Sequence, residues 1–172
     1  MGRRALCMVV WATNRAAGLC AGLIQRERMK RHLVSAAVAI ALASPALADE
    51  LVLTPAGMSF DDATFAVESA IVGRGLVIDH TSHTGEMLER TRADIGSDVV
   101  LFDAADIFLF CSASISRQVM EADWRNIANC PYAVQVIQRP GEEVMIGYVS
   151  RAADSMAPVN ALLSDIVAEV AE

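Results

Sequence analysis

Beyond Lys30 the sequence has no lysine at all. Residues 49–172 carry seven arginines against 20 acidic side chains, a net of −13 in a chain of 172 residues whose total is −7. A body this acidic, with no basic cluster, argues against nucleic acid and anionic membrane surfaces as partners. Recognisable catalytic signatures are missing too: there is no Gly-rich phosphate loop, no Gly-x-Ser-x-Gly and no nucleotide fingerprint. No Cys-x-x-Cys is present, so neither a clustered zinc site nor covalent c-type haem is signalled. The pair Cys130-Pro131 could at most be a non-covalent haem contact. The length leaves no room for a multidomain enzyme of ordinary size.

What is present divides into two unlike parts. Residues 1–48 hold seven basic side chains and one acid, Glu27, a net of +6. Within them, Met29-Lys-Arg-His, then Leu33 to Ala43, then Ser44-Pro45-Ala46-Leu47-Ala48 read as a basic n-region, an apolar h-region and a small-residue cleavage end. Eleven apolar residues are too few for a bilayer span, which takes roughly 20. The expectation is a Sec-type signal peptide cut after Ala48, with an uncleaved anchor as the alternative, and a periplasmic location for the body. Residues 1–28 fit a start codon assigned too early, with Met29 the true start; a long n-region or a transit peptide are the other readings. Cys7 and Cys20 would leave with this segment. No membrane span would remain after cleavage.

Residues 49–172 show no repeat or linker and are expected to form one domain. Leu51-Val52-Leu53 predicts a strand. Ser59, with Asp62 three residues on, approximates a capping box and opens a helix whose Ala63, Val67, Ala70 and Ile71 share a face. Gly73 and Gly75 end it, and Leu76-Val77-Ile78 predicts a second strand. Asp79 to Gly85 reads as a polar turn, and Glu86 to Ile95 as a short helix ending at Gly96. Val99 to Phe102 fits either a strand or a turn. Ile107 to Cys111, apolar throughout, predicts a buried strand. Ser112 to Ser114 can cap a helix running to about Ala122. Ala133 to Ile137 and Val144 to Val149 predict a hairpin with its tip at Arg139-Pro140-Gly141-Glu142. Pro158 opens a last helix striped with Val159, Leu162, Leu163, Ile166, Val167 and Val170, its other face bearing Asp165, Glu169 and Glu172. The fold class expected is α/β of the α+β kind: a compact two-layer domain with a small mixed or antiparallel sheet packed by helices.

Several spaced segments carry a resemblance. Ala105-Asp-Ile-Phe-Leu-Phe-Cys-Ser-Ala113, Ser116-Arg-Gln-Val-Met-Glu-Ala-Asp123, Asn126-Ile-Ala-Asn-Cys-Pro-Tyr132 and the closing Gly147-Tyr148 resemble the domain-of-unknown-function family 302. Phe-Cys-Ser and Cys-Pro-Tyr are similar to a secreted proteobacterial branch. The wider family has Gly-Asn-Pro where this chain has Cys111-Ser112-Ala113, so no role of that loop carries over. Trp124 stands where Pro is expected after the Asp, which would loosen the turn. The resemblance spans about residues 58–150. It implies a two-layer α/β fold, often dimeric, and no reaction.

Candidate chemistry centres on Cys111 and Cys130, an even pair in an oxidising compartment. Cys111 ends a strand just before a helix N-terminus, where backbone N–H groups and the helix dipole stabilise a thiolate. The pair reads as a structural disulfide closing a loop of about 20 residues and worth roughly 3 kcal/mol, as a redox or sulfur-handling couple, as metal or cofactor ligands, or as two free thiols. A bond needs the strand after Cys130 to run antiparallel to residues 107–111, with Asp123 to Asn129 walking back along the helix; antiparallel is the arrangement expected. His80 and His83 form His-x-x-His, weak candidates for a two-His, two-Cys metal site and better suited to a surface or loop-capping role. His83, Arg117, Asn126 and Tyr132 are candidate ligand-binding residues around a pocket near the Cys111 loop. Arg90, Arg92, Arg117 and Arg125 pair with acids by default, or one binds an anion through its planar fork. Asp103, Asp106 and Asp123 could pair as catalytic carboxylates, though their spacing is not diagnostic.

The first functional expectation is a non-catalytic secreted binding or accessory module, open to homodimer formation, taking a small ligand or a periplasmic protein partner and no assigned cofactor. The second is a thiol–disulfide protein using Cys111 with Cys130. The third is metal binding through His80, His83 and the thiols.

Overall fold

A computed structural model describes residues 48–171; the leader readings for residues 1–47, with Cys7 and Cys20, and Glu172 lie outside the described residues. Five strands form one sheet in the order β1-β5-β4-β3-β2, every neighbouring pair antiparallel. The sheet is therefore antiparallel throughout, with no parallel pair.

β1 (Glu50–Pro55) is one edge. α1 (Phe60–Gly73) starts where expected: the Ser59 hydroxyl accepts from the Asp62 backbone N–H at 3.2 Å and also bonds the Asp62 carboxylate. Its buried face is Ala63, Val67, Ala70 and Ile71. β2 (Val77–Ser82) is the other edge and is longer than expected, taking in Asp79 to Ser82. These polar residues pair on one side only, and the ladder slips between Ile78 and His80, which leaves Asp79 as an extra residue in β2. α2 (Thr84–Thr91) begins two residues before, and ends four residues before, the helix expected at Glu86 to Ile95. Val99 to Phe102 forms no strand.

β3 (Ala104–Cys111) alternates: Phe108 and Phe110 are buried while Ile107 and Leu109 are half-buried. α3 (Ala113–Ala122) is capped by Ser112, whose hydroxyl accepts from the Ile115 N–H. A 3-10 helix over Trp124–Asn129 leads back towards the sheet. β4 (Tyr132–Gln138) and β5 (Val144–Ser150) form the hairpin. Its tip contains Gly141 at φ 74°, a left-handed geometry glycine adopts freely. α4 (Ala157–Ala171) buries Val159, Leu163, Ile166, Val167 and Val170.

The register sorts side chains onto two faces. Phe108, Phe110, Tyr132, Val134, Val136, Ile146 and Tyr148 join the buried faces of α1 and α4 in one core. The opposite face presents Leu51 and Leu53 from β1, Met145 and Val149 from β5, Ala133 and Ile137 from β4, and Ile107 and Leu109 from β3. Among the described residues no helix covers these positions of β1, β5 and β4.

Candidate functional sites at opposite ends of the sheet

Cys111 is the last residue of β3, and Cys130 follows the 3-10 helix. The antiparallel β3–β4 pairing brings their Cα atoms to 6.6 Å, and the two sulfurs are bonded. Asp123, rather than a proline, organises the return: its carboxylate caps the 3-10 helix through the Arg125 N–H at 3.0 Å and pairs with the Arg125 guanidinium. Those bonds hold the Asp123 carboxyl below its ordinary range. Trp124 is left three-quarters exposed. The Ser116 hydroxyl lies 4.0 Å from the Cys130 sulfur and 2.9 Å from the Tyr132 hydroxyl. Val77 stands across the β2–β3 ladder from Cys111 and His80 across from Leu109, so His80 is a diagonal neighbour of Cys111 on one face.

His83 sits elsewhere. It occupies the N-cap position of α2, and its Nδ1 is 2.9 Å from an Asp106 carboxylate oxygen near the start of β3. Asp106 is mostly buried while the imidazole is largely exposed. The pair borders an open cleft of about 490 Å³ lined by Phe60, Glu86, Glu89, Arg90 and Asp103. Four carboxylates, those of Glu86, Glu89, Asp103 and Asp106, face Arg90 and His83 there, and Arg92 nearby is tied to Glu89 at 3.0 Å. The cleft is acidic on balance, which disfavours an anionic ligand and suits a cationic one.

The expected single pocket joining the Cys111 loop to His83 is therefore two places. Five residue steps along β3 separate Asp106 from Cys111, on the order of 16 Å at the rise of a strand. The other candidates do not converge on either place as ligand contacts. Arg117 is exposed on α3 and pairs with Glu121. Asn126 is buried and spends its amide N–H groups on the Val119 carbonyl and the Ser155 hydroxyl, a structural tie between α3 and the segment before α4. Tyr132 is buried in the core with its hydroxyl on Ser116. Phe60, Glu86 and Glu89 were not singled out from the sequence, where each is one more residue of an amphipathic helix.

Metal binding finds little geometry to rest on. His80 faces the uncovered side of the sheet, His83 lies past the end of β2, and the thiols are bonded to each other. Among the described residues no group of three or more His, Cys, Asp or Glu side chains is placed to hold a metal ion. No helix among them is long and apolar enough to cross a membrane.

Comparison with known proteins agrees with the fold. The family model described as "Domain of unknown function DUF302" matches residues 52–172. A crystal structure of an uncharacterized conserved DUF302 protein from Bacillus stearothermophilus superposes with a TM-score of 0.56 at 13% identity, covering 70% of this chain and 97% of that one. No curated protein matches.

Proposed function

The chain belongs to the DUF302 family, and from that premise we propose that residues 49–172 act as a secreted binding module for a small cationic ligand. The observation that carries this reading is the His83–Asp106 pair on the rim of the cleft. The buried carboxylate fixes one ring nitrogen at 2.9 Å. The imidazole is thereby oriented, and its exposed edge is available to a ligand. Phe60 supplies an apolar wall, and Glu86, Glu89 and Asp103 supply the charge that an amine would complement. Thr64 and Thr81 line a neighbouring hollow beside the pair, but among the described residues neither hydroxyl bonds the imidazole or the Asp106 carboxylate, which favours binding over turnover.

A periplasmic location, in the secreted proteobacterial branch of the family, belongs to the same proposal and is motivated by the leader pattern of residues 29–48. Self-association belongs to it as well, supported by the uncovered apolar face of the sheet. The ligand site is tested by NMR titration of the mature protein with a panel of small amines and a matched panel of carboxylates. Amines are expected to shift the His83 and Asp106 signals, and Asp106→Asn to abolish the shift. Carboxylates shifting the same signals, or no response to either panel, would reject the reading.

A second reading, thiol–disulfide exchange at the other end of β3, is favoured by a specific observation. The bonded pair is only partly buried and adjoins the first turn of α3.

A further inference from the structure

The surroundings of the two sulfurs differ, and the difference assigns them different tasks. Beside Cys130 stands a hydroxyl relay: Ser116 Oγ is 4.0 Å from its sulfur, and Tyr132 Oη is 2.9 Å from Ser116 Oγ. Ser116 closes the first turn of α3, its own N–H bonded to the Ser112 carbonyl at 2.8 Å, and the helix dipole there is positive. With Tyr132 donating to Ser116, the Ser116 hydroxyl is free to donate to a thiolate on Cys130, and a charge-assisted bond of this kind is stronger than a neutral one.

Among the described residues no hydroxyl bonds the Cys111 sulfur; the adjoining Ser112 hydroxyl is spent on the Ile115 N–H and on Ser114. Its neighbours across the ladder are Val77, 72% exposed, and, one diagonal step away, His80. Ile127, whose carbonyl accepts from the Cys130 N–H, and Trp124 are exposed on the 3-10 helix that leads into Cys130. Large apolar side chains exposed on the segments that adjoin a partly buried disulfide, Val77 opposite Cys111 and the 3-10 helix before Cys130, suit a protein thiol, which brings its own apolar surface, better than a small hydrophilic one.

We propose that Cys111 is the sulfur attacked by a partner protein's thiolate and Cys130 the sulfur that leaves, with Ser116, backed by Tyr132, as the positioning residue for the departing thiolate. This rests on the thiol–disulfide reading. The partner is a dithiol protein of the thioredoxin-like class. Its first thiolate forms a new S–S bond to Cys111 as the Cys111–Cys130 bond breaks, and the electron pair goes to Cys130, which takes up a proton. The partner's second thiolate then attacks the partner's own bridged sulfur and releases Cys111 as a thiolate. Cys111 then takes up a proton from solvent, as Cys130 did; two electrons have passed to this chain, and the partner leaves with a disulfide. The leaving side governs the rate because exchange is faster when the departing thiolate is better stabilised.

The test uses the mature oxidised protein and a thioredoxin-class protein whose resolving cysteine is replaced by serine, so that the mixed disulfide accumulates. Peptide mapping is expected to place the partner on Cys111. In a Cys111→Ser background, the alkylation rate of Cys130 is expected to fall several-fold on Ser116→Ala and to recover with Ser116→Thr, which restores the hydroxyl. A purely structural Ser116 would show no rescue, and Thr failing to restore the rate removes its assigned role. A partner found on Cys130 would overturn the assignment while leaving exchange itself intact. No mixed disulfide at all, in a chain that circular dichroism shows to be folded, would overturn both.

Discussion

Gly85 lies against the backbone of Ala105 so closely that a β carbon on it would stand 2.5 Å from the Ala105 amide nitrogen. This contact seats the first turn of α2 on the start of β3, and it thereby sets where His83, two residues earlier, meets Asp106. Gly85→Ala is expected to force the two backbones apart, at a cost of about 1–3 kcal/mol. The measurement is the urea midpoint together with the His83 ring signals. Gly57→Ala is a useful contrast, because a β carbon there meets nothing within 4 Å and the objection is only its φ of 66°. An unchanged His83 environment in Gly85→Ala would show that the contact does not position the pair.

The cysteine bond closes a long loop around α3 and the 3-10 helix, with 19 residues of sequence separation. Replacing both Cys111 and Cys130 by serine is expected to lower stability by roughly 3 kcal/mol in the chain-entropy account. Chemical reduction of the unmutated protein is expected to give the same loss. Denaturant unfolding with and without reductant measures both. A loss on mutation but none on reduction would point to poor packing of the serines rather than to the cross-link.

The elements that were legible in the sequence are those whose neighbours impose a strict period. α1 and α4 each bury one stripe against the sheet, so Ala63, Val67, Ala70 and Ile71, and Val159 through Val170, announce their faces. The hairpin shows through its Pro-Gly turn, and the Cys pair follows from chain-length reasoning once the strands are taken as antiparallel. β2 was harder, because an edge strand with an extra residue pairs on one side and tolerates Asp79, His80 and Thr81, which read as a turn. The start of α2 was missed for a related reason: Gly85 looks like punctuation, yet it is a helical residue selected by a close backbone approach. The His83–Asp106 pair spans 23 residues and exists only because of sheet register. No local pattern encodes it, although both residues stood among the candidates. The separation of that pair from Cys111 has the same origin, since sequence alone does not say which ends of antiparallel strands adjoin.

Asp49, the first residue after the expected cleavage point, is tied to the far end of β5. Its carboxylate accepts from the Arg151 guanidinium at 2.8 Å and from the Ala152 N–H at 3.0 Å, and these bonds hold its pKa below the ordinary carboxylate value. A carboxyl depressed on folding stabilises the fold above its unfolded pKa, about 3.9 for Asp. That contribution is lost as pH falls through the lower folded value. Asp49→Asn is therefore expected to lower stability slightly at neutral pH and to flatten the loss below about pH 4. Unfolding curves across that range check the slope, and an NMR titration of Asp49 checks the direction of its shift. Asp49 titrating at or above the ordinary value would contradict the account.

The uncovered sheet face makes the proposed self-association specific enough to test. Leu51, Leu53, Ile107, Leu109, Ile137, Met145 and Val149 point to that side, and no acid or base from β3, β4 or β5 stands among them. Strands about 4.8 Å apart and some 20 Å long give a face on the order of 500 Å² in plan. Two copies would then hide on the order of 1,000 Å², the lower bound for a specific interface. Arg139, Glu142 and Glu143 of the hairpin tip lie beside Leu53, Ile137 and Met145, so in a body of net charge −13 two copies meet on this face with those carboxylates at its end rather than across its strands. Leu109→Asp, which buries a carboxylate in that contact, is expected to convert a dimer to a monomer in sedimentation equilibrium. Leu109 is only half-buried in the single copy, so its fold is expected to survive, as circular dichroism would register. A wild-type mature protein that sediments as a monomer at high concentration would end the dimer proposal. A dimer indifferent to Leu109→Asp would move the interface to another face.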